Sequence, residues 1–469
     1  MGCLDTTPAA AAFADINGSG GFQPLNADDV RSYLHKSVDF IYDYYKSVES
    51  LPVLPGVEPG YLRRLLQSVP PTSSAPFDIA LKEVRDAVVP GMTHWASPNF
   101  FAFFPSTNSA AAIAGELVAS AMNTVGFTWQ ASPAATEMEV LALDWLAQLL
   151  RLPPTFMNRT AAAGRGSGGG VILGTTSEAM LVTLVSARDA ALCRAGSVGV
   201  AGITRLVVYA ADQTHSTFFK ACRLAGFDPA NIRSIPTGPE TDYALDPAKL
   251  LEIMQADVDA GLVPTYICAT VGTTSTNAVD PVGAIADVAA MFSAWVHIDA
   301  AYAGSAYSLE TNPEYLKNDA SESGNVTDLK DMQVGVGRRF RGLKLWMVMR
   351  TYGSAKLQEH IRSDVAMAKM FEDAVRADDR FEVVVPRNFA LVCFRIRPQG
   401  AMTEEDAEEV NRELMERLNR TGKAYLAHTA VGGKFVLRFA VGSSLQEERH
   451  VRSAWELIKK TTTEIMEEE

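Results

Sequence analysis

Trp295-Val-His-Ile-Asp299-Ala-Ala-Tyr302 is the stretch on which the fold turns. A short apolar run ends in a carboxylate and then in small residues. An Asp at the C-terminal end of a buried strand sits where open α/β sheets bind ligands. Two runs of the same kind precede it, Arg205-Leu-Val-Val-Tyr-Ala210 and Pro264-Thr-Tyr-Ile-Cys-Ala-Thr270. Helical spacing fills the intervals between them. Apolar strands alternating with helices predict an α/β fold whose mostly parallel central sheet is covered on both faces.

Beyond residue 350 the pattern changes. Phe381-Glu-Val-Val-Val385, Leu391-Val-Cys-Phe-Arg-Ile396 and Phe435-Val-Leu-Arg-Phe439 read as strands, and 404–419 and 447–465 as helices. That combination predicts a small C-terminal α+β domain. At the other end, Asn26 reads as a helix cap. Val30, Tyr33, Leu34, Val38, Ile41 and Tyr45 then follow at helical spacing. Leu51-Pro-Val-Leu-Pro55 breaks that helix. A helix on an extended arm cannot bury its face alone, so it must dock on the body or on a second subunit. The chain is thus expected to divide into an N-terminal tail and helical arm (1–85), a large α/β domain (86–349) and the small domain (350–469).

Composition limits the function. The chain has 469 residues, 47% hydrophobic and 21% charged, which is ordinary globular usage. With 42 basic and 55 acidic residues its formal charge is −13. Nucleic acid and anionic lipid both demand a basic footprint, so neither is an expected partner. The five cysteines, Cys3, Cys193, Cys222, Cys268 and Cys393, are scattered and form no C-x-x-C. That argues against a disulfide framework or structural zinc and for a reducing compartment. No apolar run reaches the roughly 20 residues of a membrane span. Met1-Gly-Cys3 fits a myristoylation pattern, but Asp5 follows and no basic cluster supports it. A soluble cytoplasmic protein is the expectation.

Four further segments carry chemistry. In Gly164-Arg-Gly-Ser-Gly-Gly-Gly-Val-Ile-Leu-Gly-Thr-Thr-Ser-Glu-Ala179, glycines and a short strand lead to Thr175, Thr176 and Ser177 before a helix. Hydroxyls and free N–H groups at a helix start suit a phosphate dianion; the plainer reading is a linker and a capped helix. Asp212-Gln-Thr-His215 places an imidazole after a strand, to stack on a planar ring, to move protons, or simply as structure. Val271-Gly-Thr-Thr274 brings hydroxyls after another strand. Met92-Thr-His-Trp-Ala-Ser-Pro-Asn-Phe-Phe-Ala-Phe-Phe-Pro105 is dense in aromatics without clean periodicity, which fits either core or a pocket for an aromatic substrate. His297-x-Asp299 raises a metal reading, but no third ligand lies nearby in sequence.

Thr93-His-Trp-Ala-Ser-Pro98, Ser132-Pro-Ala-Ala-Thr-Glu137, Thr176-Ser-Glu-Ala179, Asp212-Gln-Thr-His215, Val271-Gly-Thr-Thr274, His297-Ile-Asp-Ala-Ala-Tyr-Ala-Gly304 and Arg338-Arg-Phe-Arg-Gly-Leu-Lys-Leu-Trp346 stand in one order along nearly the whole chain. In these the sequence resembles the plant aromatic L-amino acid decarboxylases, group II pyridoxal-phosphate enzymes, and within them the tryptophan-specific members. The resemblance implies the type I aminotransferase-like (PLP-dependent transferase type I) fold and a homodimer with swapped N-terminal helices. It also implies an aromatic amino acid substrate and pyridoxal 5'-phosphate as cofactor. It assigns Thr176, Ser177 and Thr274 to the phosphate, His215 to the ring face, Asp299 to the ring nitrogen and Ala301 to the space beneath the ring. Trp95, Phe103, Phe104 and Pro105 match the aromatic substrate pocket. Gly337 matches a position where indole-accepting members tend to have Gly and phenol-accepting members Ser. Tyr315 matches the mobile-loop proton donor. By these last two positions, tryptophan to tryptamine is the favoured reaction. Tyrosine or phenylalanine decarboxylation is the alternative.

One departure interrupts the match. After Ala-Tyr-Ala-Gly-Ser-Ala306 the family continues for several tens of residues, including the lysine that forms the Schiff base. Here Ala306 runs directly into Tyr307-Ser-Leu-Glu-Thr-Asn-Pro-Glu314. The dipeptide His-Lys occurs only at His35-Lys36, inside the N-terminal helix; Lys317 and Lys344 match other parts of the pattern. The missing amine predicts lost or severely slowed turnover. The missing strands predict an exposed sheet edge. Either a segment has been lost, by splicing or a gene-model error, or the chain is a non-catalytic protein that binds cofactor or dimerises.

Overall fold

A computed structural model describes residues 25–158, 168–196, 200–306 and 339–468. The N-terminal tail with its Met1-Gly-Cys3 pattern, part of the glycine-rich stretch, Tyr307, Tyr315, Lys317 and Gly337 lie outside the described residues.

Two compact units are present, Met1–His94 and Trp95–Glu469. In the first, helix α1 (Ala27–Ser47) starts at Asn26, whose Oδ1 accepts from the N–H groups of Asp28 (2.9 Å) and Asp29 (3.2 Å). Tyr33 stacks on Phe77 at 4.2 Å, and Tyr44 Oη meets His94 Nδ1 at 3.1 Å. No residue of α1 is buried, and Tyr33, Val38 and Tyr42 face outward.

The second unit is built on a parallel sheet of β1 (Leu206–Ala211), β2 (Ile232–Ile235), β3 (Val263–Thr270) and β4 (Trp295–Asp299), in the order β2-β1-β3-β4. Both faces are covered, which is why β1 reads as continuous apolar sequence. Leu206, Val208 and Ala210 pack with Met180 and Leu184 of α2 (Thr176–Arg194) and with Phe218 of α3 (Thr217–Leu224). Val207, Tyr209 and Ala211 face Leu250 and Met254 of α4 (Pro247–Asp259) and Ile285 of α5 (Val282–Phe292). The two-residue period of a strand sorts these side chains to opposite faces. The strand order reverses between β1 and β3, so a crevice opens at their C-terminal ends.

The sheet ends at β4, whose outer edge pairs with no described strand. Trp295 and Ile298 stand 42% and 36% exposed there. Val171-Ile-Leu173, expected as a strand, forms none. The Ile172 N–H instead donates to Glu139 Oε1 at 2.8 Å. A strand needs a neighbour for its ladder, and this segment pairs with no described strand.

The long helix α6 (Arg341–Arg376) breaks at Gly353, where φ is 65° and ψ 173°. It leads into an antiparallel sheet of β5 (Phe381–Val383), β6 (Leu391–Ile396), β7 (Ala427–Val431) and β8 (Lys434–Ala440), ordered β5-β6-β8-β7. Helices α7 (Glu404–Arg420) and α8 (Glu448–Glu468) cover it. Phe371 stacks on Phe439 at 3.7 Å and meets Phe394 and Trp455 edge-on.

Candidate functional site

The ends of the parallel strands converge on one cavity of about 720 Å³. Each contributes by a local rule. Thr175 caps α2, its Oγ1 accepting from Glu178 N–H at 3.2 Å, and this turn presents Thr176 and Ser177 to the cavity. Free N–H groups and hydroxyls at the start of a 19-residue helix suit a dianion.

His215 follows β1. Thr217 holds its ring: the Thr217 N–H approaches Nδ1 at 3.3 Å and Thr217 Oγ1 lies 2.8 Å away. Ser177 Oγ joins the same chain 3.3 Å from Thr217 Oγ1, so the phosphate-type turn and the imidazole are linked through one threonine.

Asp299 ends β4 and is 8% exposed. Its Oδ1 accepts from the Ala301 N–H at 3.2 Å, which fixes the turn and brings Ala301 into the lining. Beside it in register stands Thr270, the last residue of β3. Asp280 pins that strand end, its carboxylate accepting from Thr270 N–H at 2.7 Å and Leu245 N–H at 2.8 Å. Burial pushes the Asp280 carboxyl up to about 6 despite those two donors. Gly272 then turns with φ 86°, and a Cβ there would lie 2.6 Å from Ala303 Cβ. Only glycine fits that turn. Thr274 completes this edge of the lining.

Of the expected aromatic wall, Phe104 and Pro105 line the cavity, and Phe104 stacks on Tyr302 at 3.4 Å. Trp95 and Phe103 do not. They stack on one another at 5.6 Å and are 40% and 41% exposed. His297 turns away from any metal role. Its Nδ1 lies 3.2 Å from Thr183 Oγ1, its ring faces Tyr266, and burial lowers its pKa.

Sequence reasoning missed much of the lining, Thr270 and Asp364 included. Thr270 borders the cavity and is buried, and its Oγ1 has no hydrogen-bond partner. Asp364 reaches the cavity from α6. Neither has a spacing signature, since a strand-end Thr and a helix Asp are both commonplace. Among the described residues the lining contains no lysine and no arginine.

The set fits a flat, phosphate-bearing, nitrogen-containing ring. Hydroxyls and a helix terminus suit the phosphate, an imidazole the ring face, and a buried carboxylate a protonated ring nitrogen. A lysine to bond such a ligand covalently is not among the described lining residues.

The chain matches the model of the pyridoxal-dependent decarboxylase conserved domain over residues 59–308 and 306–397. The two matched stretches meet at the Ala306–Tyr307 junction. Tryptophan decarboxylase 1 of Oryza sativa subsp. japonica is 75% identical over 514 aligned positions, covering 99% of this chain and all of the relative. An alignment of 514 positions against 469 residues leaves at least 514 − 469 = 45 with no counterpart here. The crystal structure of Oryza sativa TDC with PLP superposes with a TM-score of 0.89 at 76% identity, covering 95% of this chain and 100% of that one. The Catharanthus roseus tryptophan decarboxylase in complex with L-tryptophan gives 0.88 at 48% identity, covering 94% and 100%.

Proposed function

This chain belongs to the pyridoxal-dependent decarboxylase family, and from that premise we propose that its cavity receives pyridoxal 5'-phosphate and an aromatic L-amino acid. The reaction is decarboxylation, with L-tryptophan to tryptamine and carbon dioxide preferred. The carrying observation is the convergence of Thr176, Ser177, His215, Thr274, Asp299 and Ala301 on one cavity at the sheet's switch point. The rice relative is named for tryptophan decarboxylation and the Catharanthus structure holds L-tryptophan, which supports the substrate.

When bound, the cofactor supplies a protonated ring that accepts the electron pair left by departing carbon dioxide. The protein's own groups do the rest. Thr176, Ser177, Thr274 and the α2 terminus hold the phosphate. Asp299 keeps the proton on the ring nitrogen, since a buried carboxylate favours a neighbouring cation. His215, fixed by Thr217, covers the ring face, and Ala301 is small enough to let the ring lie flat. Phe104 and Pro105 wall the aromatic side chain. By resemblance Tyr315 returns a proton to the substrate carbon, and Gly337 leaves room for an indole.

The activated amine that would speed cofactor and product exchange is not in the described lining, so turnover by this chain is lost or severely slowed. A second reading has the same support: a protein that binds cofactor and dimerises without turnover. Dimerisation through swapped N-terminal helices is supported by α1, which buries none of its residues within the chain. A cytoplasmic location is supported by the described cysteines, all free thiols. No described helix is long and apolar enough to cross a membrane.

The test is to supply the purified chain and cofactor with tryptophan, tyrosine and phenylalanine and to quantify the amines. Tryptamine as the leading product, formed far more slowly than by a lysine-containing relative, is expected. Turnover equal to that relative would refute the lysine argument, and tyramine alone would refute the substrate assignment.

A further inference from the structure

The aromatic wall of the cavity ends at a carboxylate that the proposed reaction does not use. Asp364 lies on α6, eleven positions after the Gly353 break, and lines the cavity together with Phe104, Pro105 and Gly442. Gly442 fixes where it stands relative to that wall. A Cβ built on Gly442 would lie 2.6 Å from Pro105 Cγ and 3.7 Å from Asp364 Oδ2. Pro105, Gly442 and Asp364 therefore make one corner, kept open by a residue without a side chain.

The carboxylate in that corner is a free acceptor. Its side chain is 13% exposed, and no described residue donates a hydrogen bond to it. His360 Nε2 stands 3.7 Å away, too far for a hydrogen bond. Arg438 is the other buried charge of this region, and its Nε and Nη2 have no partner. It forms no ion pair with Asp364 and is not among the residues that line the cavity. It donates instead to the Ala102 carbonyl at 3.1 Å, and its guanidinium lies over the Phe104 ring, 5.1 Å from the centre. Burial raises the Asp364 carboxyl to about 6, with His360 opposing the rise, so it is ionised at neutral pH. A half-desolvated carboxylate without donors is costly, and a ligand that brings a donor relieves that cost.

We propose that Asp364 is a specificity residue for the amino acid's ring: its carboxylate accepts a hydrogen bond from the indole N–H and selects against rings that carry no donor. This rests on the function proposed above, in which the aromatic side chain lies along Phe104 and Pro105. A flat ring on Pro105 extends over Gly442, where no side chain stops it, and its edge then meets Asp364. The indole nitrogen is a donor only and an ionised carboxylate an acceptor only, so the two match. A phenol O–H satisfies the same carboxylate. A phenyl ring does not, and leaves it buried without a partner. Asp364 thus disfavours phenylalanine, while the space around the ring, rather than this carboxylate, separates indole from phenol.

Calorimetric titration of the purified full chain with two stable conjugates tests this without turnover. One probe is N-(5'-phosphopyridoxyl)-L-tryptophan. The other is the same conjugate of 3-(3-benzothienyl)-L-alanine, whose bicycle matches indole in size and has sulfur in place of the N–H. The tryptophan conjugate should bind at least about tenfold more tightly. In Asp364→Leu, which keeps the size and removes the acceptor, the two should converge to within about threefold. Equal binding of the two conjugates by the unmodified chain overturns the proposal, and so does a preference that survives Asp364→Leu. The first comparison needs no variant and stands even if Asp364→Leu fails to fold. If both conjugates bind tightly and alike, the proposed function stands and the ring-donor site falls. If neither binds, both fall.

Discussion

Asp299→Asn isolates the charge at the heart of the cradle. Asp299 is 8% exposed, and among the described residues its carboxylate accepts from the Ala301 N–H at 3.2 Å. An asparagine Oδ1 accepts that same bond, so the turn that sets Ala301 survives. What disappears is one negative charge beside the ring nitrogen. Unit charges about 4 Å apart interact by about 4 kcal/mol at an effective dielectric near 20. The cavity admits water, and the amide retains a dipole, so about half of that is a fair expectation. Two kcal/mol is a loss of about thirtyfold in affinity. The assay is equilibrium dialysis of cofactor against the unmodified and variant chains at one ionic strength, with thermal melting to show both are folded. Affinity unchanged within about threefold in a folded variant would refute the assignment of Asp299 to a cationic ring atom.

Three further outcomes follow from the packing. Phe371→Ala removes a ring at the centre of the small domain's core and should cost about 3–5 kcal/mol in urea unfolding; a cost below about 1 kcal/mol would show that this core is not tightly packed. Gly353→Ala forces a side chain into a φ 65°, ψ 173° conformation and should destabilise by about 1–3 kcal/mol, whereas a gain in stability would mean that α6 straightens. Asp280 holds its proton to about 6 in the folded state, above the roughly 4 of an unfolded chain. Its contribution is therefore complete below about pH 4 and is lost as pH rises through about 6, by at most about 3 kcal/mol. Against Asp280→Asn, the unmodified chain should lose relative stability across that window; a constant difference between the two would contradict it.

Three strands of the central sheet were legible as short, largely apolar runs, whereas Ile232-Arg-Ser-Ile235 was not. Leu206–Ala211, Val263–Thr270 and Trp295–Asp299 all announce themselves in this way. The helix starting at Asn26 was legible from its cap. Ala427–Val431 was not, since Ala-His-Thr-Ala-Val lacks strong strand formers and is held by pairing with β8 across Gly432-Gly433. Val171-Ile-Leu173 failed in the opposite sense: the local preference is there but the partner strand is absent. At the site, hydroxyl runs and strand-end Asp and His carry local signals. Thr270 and Asp364 do not, because their significance lies in what surrounds them: one hydroxyl without a partner, one carboxylate without a donor. The exposed Trp295 and Ile298 on the free edge of β4 are what the interruption at Ala306–Tyr307 leads one to expect.

The central claim is that this chain keeps the cradle for pyridoxal 5'-phosphate and lacks its covalent anchor. Intact-mass measurement after borohydride reduction tests it most directly, on protein first shown by dialysis to hold cofactor at its site. The account predicts an unchanged mass after reduction and denaturation, with the cofactor recovered free. A gain of one reduced cofactor per chain, mapped to a single lysine and blocked by excess 4-deoxypyridoxine 5'-phosphate, would contradict it.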